Sequence, residues 1–529
     1  MPDREPDPTP GQPVSAAPAA PAALGATGFG GGLREKLLKS AAQFSIAVVA
    51  SQASGLLRAW FVAHALGPAA AGVWIGIQLV VTYAANAHLG AIFGLHRHVP
   101  LLRGRGDLAG AEEVRRNTLA FTSLMGMLCA ALVVVIAYGG FAPLEAHLPR
   151  ALGDALRALR DPGERPVVLA VAAVVLANLV RSYYVTLFKA DNRFREATVA
   201  SVIGSAFGIA SIPLIPRYGL AGVVWGMFAL IVAEALYLMA RAGLPRFALS
   251  RRVLSVQLAV GAVTVLITIA NTALMSVDRT VLIELFSKEQ VGFYYPALLA
   301  ATFFYGLAAV PNAVLYPQLS EQFGRSGRPG DLAGLVAGPI QLVSVGFAYV
   351  AGAAAIGLPV VVRIALPRFM PGVAASQIAM FGIACYVIVG VAVNVFYALN
   401  RQLLFLGILG ASVAVAYGSA RLFAHFYFDL AAVAAGCSTG MLLFLVFVIA
   451  GAWLAMDRPI GEALRVMVRA LVPLATAGAA TAAILLATSR VFPAASIAGA
   501  VCGELLFVAL AAPLLVRVVR ALRGRGASG

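Results

Sequence analysis

The sequence predicts an all-α polytopic membrane protein, and three observations carry that prediction. Of 529 residues, 61% are apolar and only 12% charged, against about 45–50% and about 25% in soluble globular proteins. The apolar residues fall in long runs of the length a bilayer span needs, about 20 residues. The basic residues are unevenly distributed between the intervening loops, as the positive-inside rule requires. These features exclude a soluble enzyme, a secreted disulfide scaffold and a nucleic-acid binder. The net charge of +16 is what a membrane protein with basic cytoplasmic loops carries.

Runs bounded by charge, Pro or Gly give fourteen expected spans: 40–64, 71–95, 117–139, 166–188, 197–215, 219–240, 255–277, 292–316, 337–362, 376–398, 403–421, 430–455, 469–488 and 496–516. With the N-terminus inside, 26 of the 39 Lys and Arg residues fall on the cytoplasmic side, 11 outside and two within spans. That bias places both termini in the cytoplasm. Residues 1–35, rich in Pro, Ala and Gly, read as a disordered tail without the basic start and apolar core of a signal peptide. The longest outer loop, about 140–165, reads as a small amphipathic helix (Leu144, Leu148, Leu152, Leu156). No outer loop is large enough to house a glycosyltransferase site. The four cysteines (Cys129, Cys385, Cys437, Cys502) lie in apolar runs with neither disulfide nor metal spacing. No phosphate-binding loop, metal cluster or nucleophile–base set is present, so neither cofactor nor catalysis is expected.

An internal repeat organises the chain. Leu66–Trp74 resembles Phe286–Tyr294 at an offset of 220, and Gly106-Asp107-Leu108-Ala109-Gly110 recurs as Gly330-Asp331-Leu332-Ala333-Gly334 at 224. Asn192-Arg193 corresponds to Asn400-Arg401, and Leu220-Ala221-Gly222-Val223 to Leu430-Ala431-Ala432-Val433. The common order points to two parallel six-helix lobes around a central cavity, 36–252 and 253–466. Two further spans, 467–518, and a short cytoplasmic tail, 519–529, follow.

An ionised side chain near the bilayer centre costs about 2.5–3.5 kcal/mol on insertion scales, so intramembrane polar residues are the candidate site. Arg58 lies nine residues before Gly67, about 13 Å inward at 1.5 Å per residue, and shares a helix face with Ser51 and Gly55. It reads either as an anion site in a water-filled cavity or as a snorkelling or paired residue. Thr264, Thr268, Asn271 and Asp278 share one face of span 7, and Asp278 is the repeat counterpart of Arg58. Asp278-Arg279 reads equally as a gating pair or a membrane-edge pair. Arg181 lines the cavity or snorkels; Glu234 couples ions or gates, or is a buried partner of Arg241. Asn86 and His88 line the cavity or bond a neighbouring helix. Glu504, outside the repeat, is a further intramembrane acid. His96, Arg97, His98, Arg103 and Arg105 form a basic cluster at the inner surface that marks topology or attracts anionic lipid headgroups.

The "LGPAAAGVW", "PLLRGRGDLAGAEE" and "VDRTVLIELFSKEQVGFYYPA" stretches and the fourteen-span plan resemble the polysaccharide transporter family. It belongs to the superfamily of multidrug, oligosaccharidyl-lipid and polysaccharide exporters. The resemblance covers about residues 36–520. It implies alternating-access flipping of undecaprenyl-pyrophosphate-linked oligosaccharides across the bacterial inner membrane, for O-antigen, capsule or exopolysaccharide assembly. It also implies membrane lipids, a polysaccharide polymerase and a co-polymerase as partners, and no enzyme activity. "SQASGLLRA" is similar to the first-helix pattern Ser-Arg-x-x-Gly-x-x-Arg-Asp of the neighbouring lipid II flippases: Ser51, Gly55 and Arg58 match, whereas Gln52 and Ala59 replace an Arg and an Asp. That pattern implies a cavity position for Arg58, where a guanidinium suits a diphosphate. Arg181 and Arg279 are further candidates for the same ligand. A lipid II flippase, a cation-coupled multidrug exporter using Asp278, Glu234 and Glu504, and a scaffold of a polysaccharide synthase complex are the competing readings.

Overall fold

A computed structural model describes residues 31–138, 165–191, 193–243, 246–493 and 495–526. The tail 1–30, the expected helix at 140–165 up to residue 164, and Asn192 lie outside the described residues. Met1–Ile46 and Ala47–Gly529 form separate units; within the first, residues 31–46 are helical. The second holds every element discussed below.

Among the described residues there is no strand. The helices, in chain order, are α1 (Ser54–Ala84), α2 (Ala91–Gly104), α3 (Leu108–Ala137), α4 (Arg165–Ala190), α5 (Phe194–Ala210), α6 (Leu214–Ala242), α7 (Arg251–Leu274), α8 (Val277–Leu285), α9 (Lys288–Phe293), α10 (Tyr295–Ser326), α11 (Ala333–Ala365), α12 (Val373–Ala398), α13 (Gln402–Phe426), α14 (Leu430–Ala455), α15 (Ile460–Val491) and α16 (Ile497–Gly526). Nine of the described helices are long and apolar enough to cross a membrane, ten if the bent α7 is one span. The chain is thus an all-α polytopic membrane protein.

The difference from fourteen has local causes. Expected spans 40–64 and 71–95 meet in one apolar stretch that turns at Gly67 (φ 75°, ψ 178°), immediately before Pro68. A positive φ with extended ψ is accessible to Gly without a Cβ penalty, so the helix kinks there. The second of these spans is broken again at Leu89 and Gly90, both at positive φ. The expected span 197–215 reduces to α5, whose 17 residues rise only about 26 Å, short of a hydrocarbon core of about 30 Å. The turn at Ser211–Pro213 ends it. Expected spans 292–316 and 496–516 fall on α10 and α16, which lie outside the nine.

Lipid tails are as apolar as Leu, so helix association here depends on close packing at small residues. On α14, a Cβ at Gly436 would lie 2.5 Å from the Ala420 Cα, and one at Gly440 would lie 2.4 Å from the Ala416 Cα. This Gly-x-x-x-Gly face lets α13 and α14 approach at backbone distance. A Cβ on Gly94 would lie 2.9 Å from the Gln257 Cα, so α2 packs closely on α7, and buried polar groups join α7 to α3. Asn117 donates to Gln257 Oε1 (2.8 Å), Gln257 donates to the Thr118 hydroxyl (2.6 Å), and Asn117 Oδ1 accepts from the Ser250 N–H (2.8 Å).

The repeat offsets reappear in backbone geometry. The Arg193 N–H donates to Phe188 O and the Arg401 N–H to Phe396 O, at 2.8 and 2.7 Å: the same six-residue helix ending, 208 residues apart. Asp107 caps α3 by accepting from the Gly110 N–H, and its counterpart Asp331 sits in the 3-10 turn Pro329–Leu332 that opens α11. At the other end of the bundle, a Cβ on Gly72 would lie 1.7 Å from Lys288 O, and one on Gly292 would lie 1.8 Å from Pro68 O. Pro68 and Lys288, like Gly72 and Gly292, are 220 residues apart. Each motif therefore packs on the other reciprocally, as equivalent patches do across a two-fold axis.

Candidate functional site

Most of the predicted intramembrane polar residues line three cavities. The first, about 390 Å³, is lined by α1, α4, α5 and α6 together with Tyr295. It contains Arg58, Arg181 and Glu234, with Ser54, Gly55, Gln78 and Asn178 beside them. Arg58 is half-buried; its Nη2 donates to Val223 O at 3.0 Å. That is its one protein hydrogen bond among the described residues, so most of its five N–H donors have no protein partner there. Tyr295 closes the same wall, its hydroxyl donating to Ala59 O (3.2 Å).

Arg181 is held differently. Its Nη1 lies 2.8 Å from Glu234 Oε2, and its Nη2 and Nε donate to Asn178 Oδ1 at 3.0 and 3.3 Å. Glu234 therefore finds its partner on α4, not in Arg241. Glu234 is buried and Arg181 about one-third exposed. The pair holds Arg181 beside Arg58 while cancelling one positive charge, so the cavity keeps a net charge of about +1. Removing Glu234 leaves the Arg181 guanidinium in the same cavity as Arg58 without its counter-ion. The Arg181→Ala/Glu234→Gln double variant is expected to be more stable than additivity of the single variants predicts. The coupling expected is about 1–2 kcal/mol, below the 3–5 kcal/mol for breaking a fully buried pair because Arg181 is partly solvated. Thermal unfolding in detergent measures it, and additive losses would show the pair contributes nothing.

The second cavity, about 330 Å³, shares Gln78 and Met227 with the first. Asp278 and Arg279 line it, with Tyr294 and Tyr305. Asp278 stands here as Arg58 stands in the first cavity, and Tyr294 as Trp74, each pair separated by the repeat offset of 220. Arg279 is bound locally: Nη2 donates to Met275 O (2.6 Å), and Nε lies 3.6 Å from Asp278 Oδ1.

The third, about 300 Å³, is lined by α7, α12, α13 and α14. Thr268 and Asn271 belong to this one, and Asn271 Oδ1 accepts from the Tyr386 hydroxyl at 3.0 Å. Asn86 and His88 line none of the three. They occupy the break between α1 and α2, where Asn86 donates to Thr82 O and His88 Nδ1 accepts from the Gly90 N–H. Their polar atoms serve the backbone groups that the interrupted helix leaves unpaired. Glu504 faces α11 at Gly357, away from all three cavities.

Of the predicted residues, the fold brings Arg58, Arg181 and Glu234 together and Asp278 and Arg279 together. Gln78, Tyr295 and Tyr386 were not foreseen. Gln78 carried a usable signal, as an uncharged polar residue inside an apolar run; the tyrosines resembled ordinary interfacial aromatics. Among the described residues, no group of His, Cys, Asp and Glu is arranged to hold a metal ion.

No protein-family model matches the sequence, and no curated protein matches it. Solved structures do match by shape. The lipid II flippase MurJ in an inward closed conformation aligns with a TM-score of 0.62 at 12% identity, covering 90% of this chain and 99% of its own. An inward-facing multidrug resistance MATE family transporter of the MOP superfamily aligns at 0.58 and 17% identity, covering 80% and 98%. An outward-facing MATE transporter aligns at 0.52 and 15%, covering 82% and 96%. Nearly the full length of each of these transporters is matched, so the chain has the fold that MATE transporters and MurJ share.

Proposed function

We propose that this protein is a flippase that moves an undecaprenyl-pyrophosphate-linked oligosaccharide between the leaflets of the bacterial inner membrane by alternating access, for O-antigen, capsule or exopolysaccharide synthesis. The observation that carries the reading is that Arg58 and Arg181 line one cavity with a single carboxylate, Glu234, which pairs with Arg181. A cavity with surplus positive charge within a membrane bundle favours an anionic head, and a guanidinium fork can bind diphosphate oxygens in two places at once. The polyprenyl tail needs no polar site and stays in lipid. The two motifs that meet at Gly72 and Gly292 supply the closing surface at one end, and the α2–α7 joint supplies one at the other. The bias of Lys and Arg orients both termini toward the cytoplasm. Polysaccharide polymerase and co-polymerase are the partners this role calls for.

The MurJ likeness favours lipid II as a second anionic substrate. The MATE likeness, with Asp278 lining the adjoining cavity, favours a cation-coupled exporter. One assay separates the three. The protein is reconstituted into vesicles with a fluorescent polyprenyl-diphosphate oligosaccharide, with lipid II, or with a cationic dye under a proton or sodium gradient. Protein-dependent exposure of the oligosaccharide headgroup to a membrane-impermeant quencher is the expected result. Gradient-driven dye export without headgroup exposure would replace the flippase reading with the exporter.

A further inference from the structure

The third cavity differs in chemistry from the other two. Among the described residues, no charged side chain lines it. One wall is a run of four rings: Tyr386 against Phe444 (centroids 6.4 Å), Phe444 against Phe405 (6.5 Å) and Phe405 against Tyr397 (6.3 Å). The other polar groups reaching it are uncharged, the Thr268 hydroxyl and the amides of Asn271 and Asn394. The three cavities also run in sequence. Gln78 and Met227 line both the first and the second. Tyr305 lines the second and stacks edge-on, at 5.3 Å, on Tyr386, which lines the third. Charge therefore declines along the tract: a surplus cation at Arg58, a balanced Asp278-Arg279 pair, then a neutral aromatic and amide chamber.

We infer that this third cavity is a saccharide subsite, which takes an uncharged sugar ring of the substrate head while Arg58 holds the diphosphate. The inference rests on the flippase reading and adds to it which end of the head faces which lobe. Sugars have an apolar face of C–H groups and a rim of hydroxyls. An aromatic wall covers the first; the Asn271 amide and the Tyr386 hydroxyl, which bond each other, and the Asn394 amide, which donates to Gly390 O, exchange those bonds for sugar hydroxyls. An anion or a cation finds no counter-charge there. The volume lies at the lower end of the roughly 300–1,000 Å³ typical of small-molecule sites, room for one ring of the head and not for the whole of it. Tyr397, at the end of α12, and Asn271, on α7, are the residues of this cavity that would discriminate between sugars.

The test is equilibrium binding to the full-length protein in nanodiscs, read by its tryptophan fluorescence, Trp74 lining the first cavity. Two probes are used: polyprenyl diphosphate without sugar, and the same lipid carrying a neutral disaccharide. Wild-type protein is expected to bind the glycosylated lipid at least tenfold more tightly. Tyr397→Ala and Asn271→Ala should remove that preference while leaving the Kd for the sugar-free lipid within twofold, and Tyr397→Trp, which restores a ring, should recover it. Unchanged melting temperature separates loss of the subsite from loss of the fold. Equal affinity of wild-type protein for the two lipids, with both lost in Arg58→Ala, would overturn the subsite and leave the flippase reading standing. Failure of both lipids to bind wild-type protein would overturn both readings, and a sodium-dependent fluorescence change abolished by Asn271→Ala would assign the cavity to a cation instead.

Discussion

Arg58→Ala is expected to lower affinity for a polyprenyl-diphosphate substrate by about 10- to 150-fold, with headgroup transfer in vesicles falling in parallel. The magnitude follows from charge-assisted hydrogen bonds of about 1.5–3 kcal/mol, each 1.4 kcal/mol being about tenfold. Among the described residues Arg58 makes only the bond to Val223 O, so most of the guanidinium is available, and no second uncompensated cation among them lines the cavity to replace it. Arg181 is committed to Glu234 and Asn178. Arg58→Lys keeps the charge and loses the fork, so it should recover part of the affinity and not all of it. Isothermal titration with the diphosphate lipid, at matched melting temperature, checks both variants. Wild-type affinity in Arg58→Ala would remove the first cavity from the mechanism.

The second large effect is expected at Gly292. A methyl group there would sit 1.8 Å from Pro68 O, against backbone that cannot turn aside as a side-chain tip can. The two motifs must separate, and overpacking of this kind costs about 1–3 kcal/mol or more. Set against an opening equilibrium between the two ends of the bundle, that energy shifts the populations by roughly 5- to 150-fold. Gly292→Ala is therefore expected to hold this end open and to slow transfer by at least tenfold. Gly72→Ala should match it closely, because its Cβ would meet Lys288 O in the mirrored half of the same contact. Cys437, which lines the second cavity, is a native reporter of opening. With Cys129, Cys385 and Cys502 replaced by Ala, its reaction with a membrane-impermeant maleimide should speed up in both variants. Unchanged labelling and unchanged transfer would mean that this contact does not form the gate.

Both predictions began with features legible in the chain. Arg58 stood out because an arginine so far inside an apolar run must have a reason to be there. The Gly72 and Gly292 motifs stood out because they recur at one offset. Their reciprocal packing was not legible: the repeat implied equivalent positions, not that the two copies touch. Thr268 and Asn271 were grouped with the cavity-lining polar residues because they share a helix face with Asp278. The bend at the end of α7 and the start of α8 instead divides them, placing Asp278 in one chamber and Asn271 in the next. Asn86 and His88 could not be told from cavity residues in the sequence, since a helix break at Leu89 and Gly90 shows only in the backbone.

By itself, the sequence determined the solvent, the class of fold and the places where burying charge needs an explanation. Those follow from composition and run length, which act on each residue independently of its neighbours in space. Tertiary structure alone decided which of the polar residues share a chamber. The Arg181–Glu234 pair joins helices across 53 residues of chain, and the Tyr386–Asn271 bond across 115. In a bilayer, one apolar helix face gains little over another by burial, and choice among partners falls to the fit of small residues such as Gly436 against Ala420. That fit is a matter of shape in three dimensions, which a one-dimensional pattern of apolar and polar residues does not encode.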